Sequence, residues 1–288
     1  MPGAGGPAAA PPPRHHERNR ASNMAEDKTP IVQMQGICKA YGGVQALKGV
    51  DLDIYLGETH ALVGDNAAGK SSLIKTLSGA VRKDGGTITF DGREVEINDP
   101  RDAKALGVET VYQDLALADN LDVPANVYLG RELTRRAPFG WFLDNSQMAQ
   151  RSRVLLDRLK INMPNIRQKV RTMSGGQRQS IAIARCVAFN ARVIILDEPT
   201  AALGVEETRK VYALIREMRD AGHAVLIISH NLNHVFDNCD RITVMKTGRT
   251  VGSRRVCDTN QDEIVRMIVS GSLEARAPDR SAAEAPAA

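Results

Sequence analysis

The chain has 288 residues, 42% of them hydrophobic, enough to bury one large α/β core and to exclude an isolated small module. Its formal charge of +4 makes no demand for nucleic acid, and 4% aromatic residues give no base-stacking surface of the kind single-strand binders use. Cys38, Cys186, Cys239 and Cys257 are scattered without a C-x-x-C pair, which points to reduced thiols in a cytosolic protein and no zinc site, and no apolar run approaches the roughly 20 residues that span a bilayer.

Met1 to Asn23 is rich in Pro, Ala, Gly and Arg and lacks the apolar core of a secretion signal. Residues 1–28 are therefore expected to be a disordered extension, with Met24 a candidate true start, and residues 29–271 the folded domain. Ile31 to Glu58 and Gly86 to Ile97 carry short alternating segments with Gly42-Gly43 and Asp91-Gly92 turns, the pattern of an antiparallel sheet. Ala61-Leu62-Val63 predicts a buried strand and Ser72 to Ser78 a helix. Between them, Gly64-Asp65-Asn66-Ala67-Ala68-Gly69-Lys70-Ser71 fits G-x-x-x-x-G-K-[ST] in the strand-to-helix context that this motif requires. Such a loop donates backbone N–H groups to phosphates, the helix N-terminus adds positive potential, and Lys70 reaches the outer phosphates as a point charge. Ser71 would ligate Mg²⁺.

Val108 to Tyr112 predicts the next strand, with Gln113 at its end. Leu115 to Arg171 reads as helices separated by Pro124, Pro138 and Pro164, with Arg151 to Lys160 amphipathic. Within it, Pro138-Phe139-Gly140-Trp141-Phe142 concentrates aromatics, either as a surface for a membrane partner's cytoplasmic helix or as a hydrophobic staple between two helices. Ser174-Gly175-Gly176-Gln177 gives a turn whose N–H groups can face outward, ahead of a helix over Arg178 to Phe189; alone it is simply a helix start. Val193 to Leu196 is an apolar run of the kind buried on both faces of a sheet, and it ends in Asp197-Glu198. Asp197 is placed to hold Mg²⁺ through its water shell, and Glu198 to orient and deprotonate an attacking water. Val225 to Ser229 is a further buried-strand run, followed by His230. Strands alternating with helices argue for a parallel sheet covered on both faces, whose carboxyl ends carry Gly64, Gln113, Asp197 and His230. Residues 272–288 have the low complexity of a solvated tail.

With these motifs in order, roughly Ile31 to Ser270 resembles the ATP-binding subunit of an ABC transporter. The resemblance implies an α/β P-loop NTPase core of RecA-like type, a flanking antiparallel β subdomain and an inserted helical subdomain at about 115–171. It implies that Tyr41 stacks on adenine, that Gln113 touches Mg²⁺ or the water, that His230 senses the γ-phosphate and that Ser72 offers its hydroxyl to an α-phosphate oxygen. It also implies that Ser174 and Gly176, within the signature Ser174-Gly175-Gly176-Gln177, contact ATP·Mg²⁺ held by a second ATP-binding subunit, so that the dimer powers transmembrane permease subunits. Glu198-Pro199-Thr200-Ala201-Ala202-Leu203-Gly204 and Ser229-His230-Asn231-Leu232 resemble the bacterial monosaccharide importers for ribose, xylose and fructose. Such a subunit lies at the cytoplasmic face of the membrane and works, indirectly, with an external solute-binding protein.

Three positions depart from the family pattern: Ala67 where Gly is usual, Ser72 where Thr is usual, and Gly204 in place of the Asp that closes the loop after the catalytic Glu. The alternative is a soluble ABC ATPase acting on nucleic acid or ribosomes. Those working on DNA carry a long coiled-coil insertion and those tied to translation two cassettes, whereas this sequence has one cassette and no heptad run. Small-molecule kinases share the phosphate loop but have no use for Ser174 to Gln177.

Overall fold

A computed structural model describes residues 29–137 and 139–272, so the N-terminal extension, Met24 and nearly all of the tail lie outside the described residues. Strands β1 (Val32–Tyr41) and β2 (Val44–Ile54) pair antiparallel, and β4 (Gly85–Phe90) with the short β5 (Arg93–Glu94) completes a four-stranded sheet in the order β2-β1-β4-β5. The second sheet has six strands in the order β12-β11-β3-β10-β9-β6, made of β3 (Thr59–Gly64), β6 (Val108–Val111), β9 (Val193–Asp197), β10 (Ala224–Ile228), β11 (Arg241–Lys246) and β12 (Arg249–Arg255). All of its pairings are parallel except β11 with β12.

The pleat explains why the central strands read as continuous apolar runs. Ala61, Val63, Ile194, Leu196, Val225 and Ile227 face one core, shared with Ile181 and Ile215, while Leu62, Ile195, Leu226 and Ile228 face the other, shared with Met34, Leu73 and Ile88. Each fully buried aliphatic side chain contributes roughly 1.5–3 kcal/mol. The sheet is thus clamped between the antiparallel sheet on one side and helices α5 (Gly175–Val187) and α6 (Val205–Asp220) on the other. The remaining helices are α1 (Lys70–Leu77), α2 (Pro100–Ala105), α3 (Val123–Val127), α4 (Asn145–Arg158), α7 (Leu232–Asn238) and α8 (Gln261–Ser270).

The four strands expected of the parallel sheet are all present and parallel. Strands β11 and β12 extend it further; Ile242 to Met245 followed by Thr247-Gly248 carries the apolar run and turn that signal them. The segment 115–171 differs from an all-helical reading. Helices α3 and α4 form, N-capped by Asp122 onto Ala125 N–H at 3.0 Å and by Asp144 onto Gln147 N–H at 2.9 Å. Between them, however, β7 (Thr134–Ala137) and β8 (Gly140–Leu143) make a hairpin that pairs Arg135 with Phe142 and Arg136 with Trp141. Trp141 is 71% and Phe139 95% exposed, so these aromatics do not staple two helices together; Pro138 itself lies outside the described residues. The four cysteines are free, and burial pushes the Cys186 thiol up to about 12.

His60 sits fully inside β3, its Nε2 2.8 Å from the Thr243 hydroxyl on β11. Burial above all, with Arg241 nearby, lowers its pKa from 6.5 to about 3. The folded pKa lies below the unfolded one, so this contribution to stability is complete above pH 6.5 and is lost as pH falls toward 3. Stability should therefore drop by about 1 kcal/mol between pH 6 and pH 5 on account of this group. Urea unfolding at the two pH values should show that component in the parent protein and not in His60→Gln.

Candidate functional site

The loop after β3 is shaped by how closely it passes the end of β11. Gly64 has φ +150°, and a Cβ placed on it would lie 2.1 Å from the Met245 carbonyl oxygen. Gly248 N–H reaches Ala68 O at 2.9 Å and Lys48 N–H reaches Gly248 O at 2.7 Å, tying the loop to the β11–β12 turn and to β2. Ala67, where glycine is usual, adopts φ +64°, a left-handed conformation that costs a non-glycine residue about 1–2 kcal/mol. The loop therefore carries strain at that position.

Lys70, the first residue of α1, donates from Nζ to Gly64 O at 2.8 Å and to Asp65 O at 2.9 Å. Burial lowers its pKa, opposed by Glu198, Asp65 and Asp197. At the end of β9, burial and then the neighbouring Glu198 push the Asp197 carboxyl up, with Lys70 and Lys75 pulling the other way. Partial desolvation thus makes this cluster of charges hungry for counter-ions. A cleft of about 470 Å³ opens beside it, lined by Asn66 to Ser72 together with Gln113, Asp197 and Glu198. Gly64 and Asp65 form the loop's entry. Val44 to Ala46, Lys48, Thr247 and Gly248 also line the cleft and were not expected, because β2 and the β11–β12 turn bring them in from elsewhere in the chain. Tyr41 is not among the lining residues; it ends β1 beside Val44, 43% exposed, with the Lys39 Nζ 5.7 Å from its ring centroid.

Glu198 has φ +49°, and its N–H is fixed on Ile228 O at 3.1 Å. Its Oε1 lies 3.1 Å from His230 Nδ1, so the expected base and the expected sensor are in direct contact. His230 borders a second cavity of about 580 Å³ between α6 and α7, with Glu198 in the wall common to both clefts.

Ser174 to Gln177 open α5 as a capping box. Ser174 Oγ accepts Gln177 N–H at 3.3 Å, and Gln177 Oε1 accepts Ser174 N–H at 3.1 Å. The helix begins at Gly175, three residues before the expected Arg178. Ser174, Gly176 and Gln177 line a third cavity, of about 640 Å³, which shares no lining residue with the phosphate-loop cleft. Gly204 is the N-cap of α6 without a side-chain cap; its φ of −69° and open surroundings would admit an aspartate.

The family described as ABC transporter matches residues 47–201, which include the phosphate loop, the signature and the acidic pair. The chain belongs to the ABC transporter family. It is an ATP-binding subunit that hydrolyses ATP, with the P-loop NTPase fold expected of one. The xylose/arabinose import ATP-binding protein of Sulfolobus acidocaldarius is 44% identical over 243 residues, covering 84% of this chain and 95% of its own length. The fructose import ATP-binding protein of Rhizobium meliloti is 44% identical over 258 residues, covering 88% and 97%. Among solved structures, a dimeric ATP-binding cassette in a post-hydrolysis state with ADP and phosphate superposes with TM-score 0.64 at 25% identity, over 78% of this chain and 98% of that one.

Because a backbone carbonyl, not a mobile side chain, faces Gly64, the loop cannot accommodate even a methyl group there without moving off β11. Gly64→Ala should cost about 3 kcal/mol or more. Denaturant unfolding measures it, and a loss under 1 kcal/mol would show the loop to be freely movable.

Proposed function

We propose that this subunit powers import of a monosaccharide through a membrane permease, by closing on a second copy around two ATP molecules. The observation that carries the two-chain reading is the separation of the signature cavity from the phosphate-loop cleft within one chain. Ser174 lines a different cavity from the loop that carries Lys70, which supports a reading in which each half completes a site across a dimer. The dimeric cassette at 25% identity supports this arrangement, and the names of the relatives at 44% identity support sugar as cargo.

In each site the loop Gly64 to Ser72 and Lys70 hold the phosphates, with Tyr41 against the adenine. Ser174 to Gln177 of the other chain approach the γ-phosphate with a hydroxyl and helix-terminal N–H groups. Glu198 takes the proton of the attacking water, and His230, hydrogen-bonded to it, fixes the carboxylate's direction. The oxygen donors Ser71, Gln113 and Asp197, with the carboxyl of Asp197 raised by burial, fit a small hard cation such as Mg²⁺. That ion would neutralise charge on the β- and γ-phosphates. Loss of the γ-phosphate removes the anion common to both chains, and they separate.

No described helix is long and apolar enough to cross a membrane. In the proposed complex the subunit attaches to the cytoplasmic face through the permease, which an external solute-binding protein supplies. The exposed Trp141 and Phe142 of the β7–β8 hairpin supply a contact surface for that partner. No nucleic-acid partner is expected.

Glu198→Gln should slow ATP turnover by about 100-fold or more while retaining ATP binding, and should accumulate a dimer when ATP is present. Steady-state hydrolysis and light scattering check this; full turnover would refute the base, and binding without dimerisation the two-chain site. Replacing Trp141 and Phe142 with Ala should abolish co-purification with the permease and leave the isolated ATPase folded and active. Retained co-purification would remove the hairpin from the contact.

A further inference from the structure

The signature end of α5 already has an anion over it. Glu207 stands on the first turn of α6, and a Cβ placed on Gly176 would meet the Cβ, Cγ and Cδ of Glu207 at 3.0, 3.1 and 3.2 Å. Gly176, Ser174 and Glu207 line the same cavity. Since the Ser174 oxygen accepts the Gln177 N–H, its own proton remains to be donated outward. The Ser174 hydroxyl beside it first, and then, against the effect of burial, the N–H groups of Gly176 and Gly204, hold the Glu207 carboxyl below the usual carboxylate range. The neighbouring Glu206 is engaged elsewhere, with Arg209 at 3.0 Å.

Ser174 and Gly176 are the same two donors that the two-chain reading gives to the γ-phosphate of the partner's ATP. Two anions at one helix N-terminus repel each other, so the Glu207 carboxylate beside Gly176 and a γ-phosphate compete for the same place. We propose that Glu207 is an internal occupant of the signature half-site, a carboxylate that the γ-phosphate of a second chain's ATP must displace before the two chains close. This rests on the two-chain reading and deepens it: Glu207 sets how much ATP closure requires.

The test places Glu207→Gln and Glu207→Ala in the Glu198→Gln background and follows dimer formation by light scattering as ATP and Mg²⁺ are titrated. Binding of a fluorescent ATP analogue to the dilute monomer reports the phosphate-loop site separately, and thermal unfolding reports the fold. Both variants should dimerise at an ATP concentration at least about threefold lower, with monomer affinity unchanged and the gain shrinking as salt is added. Glu207→Asp keeps an acid on the first turn of α6 but withdraws it by one carbon, so it should lower the midpoint too even if the other variants weaken the helix. A midpoint that stays or rises, while Ser174→Ala impairs dimerisation, overturns the role of Glu207 alone. Absence of any ATP-dependent dimer in Glu198→Gln, or indifference to Ser174→Ala, overturns the two-chain reading and this proposal with it.

Discussion

Lys70 holds a positive charge that the fold has partly withdrawn from water, and the arrangement around it follows from how that charge is compensated. Its ammonium is hydrogen-bonded to the carbonyls of Gly64 and Asp65, so the loop curls back around its own cation. Glu198, Asp65 and Asp197 supply the opposing charge from the ends of neighbouring strands. Only a parallel sheet with β3 beside β10 and β10 beside β9 delivers these groups to one rim, because parallel strands end together on the same side. The buried aliphatic residues on both faces of that sheet thus act on the chemistry by fixing where the charged strand ends lie.

Much of this was legible in the chain itself. The phosphate loop, the Asp197-Glu198 pair and four of the parallel strands announce themselves through local pattern: an apolar run, a break, and polar residues that a core would not accept. Strands β11 and β12 carry a local apolar run and turn, but the walls they contribute to the cleft, Thr247 and Gly248, mean nothing until Lys48 and Ala68 are seen bonded to Gly248. The β7–β8 hairpin has no period-2 alternation, since both of its faces are exposed; prolines alone suggested breaks between helices there. Glu207 could not have been found from sequence. An acid in the first turn of a helix is ordinary, and its significance lies in Gly176 passing close by on another helix.

The two unusual small residues have opposite physical meanings. Ala67 carries a methyl group where the backbone is left-handed, so the loop stores strain that a glycine would relieve. Gly204 lacks a side chain where the backbone is ordinary and space is open, so nothing local demands glycine. An acid stands three residues further on instead, at Glu207, whose side chain passes close beside Gly176 on α5. Contact between the signature and the start of α6 is thereby kept within one chain.

The hydroxyl of Thr250 on β12 donates to Asp51 O at 2.7 Å and accepts from Asp51 N–H at 3.2 Å, so the antiparallel sheet abuts the outer flank of β12. At the opposite flank, β6 has only four residues. Neither flank offers a long, open ladder of unpaired amides, which protects a six-stranded sheet from growing by addition of foreign strands. The same closure limits how copies of this chain can meet: with lateral growth blocked, the loops at the strand ends are left as the place of encounter.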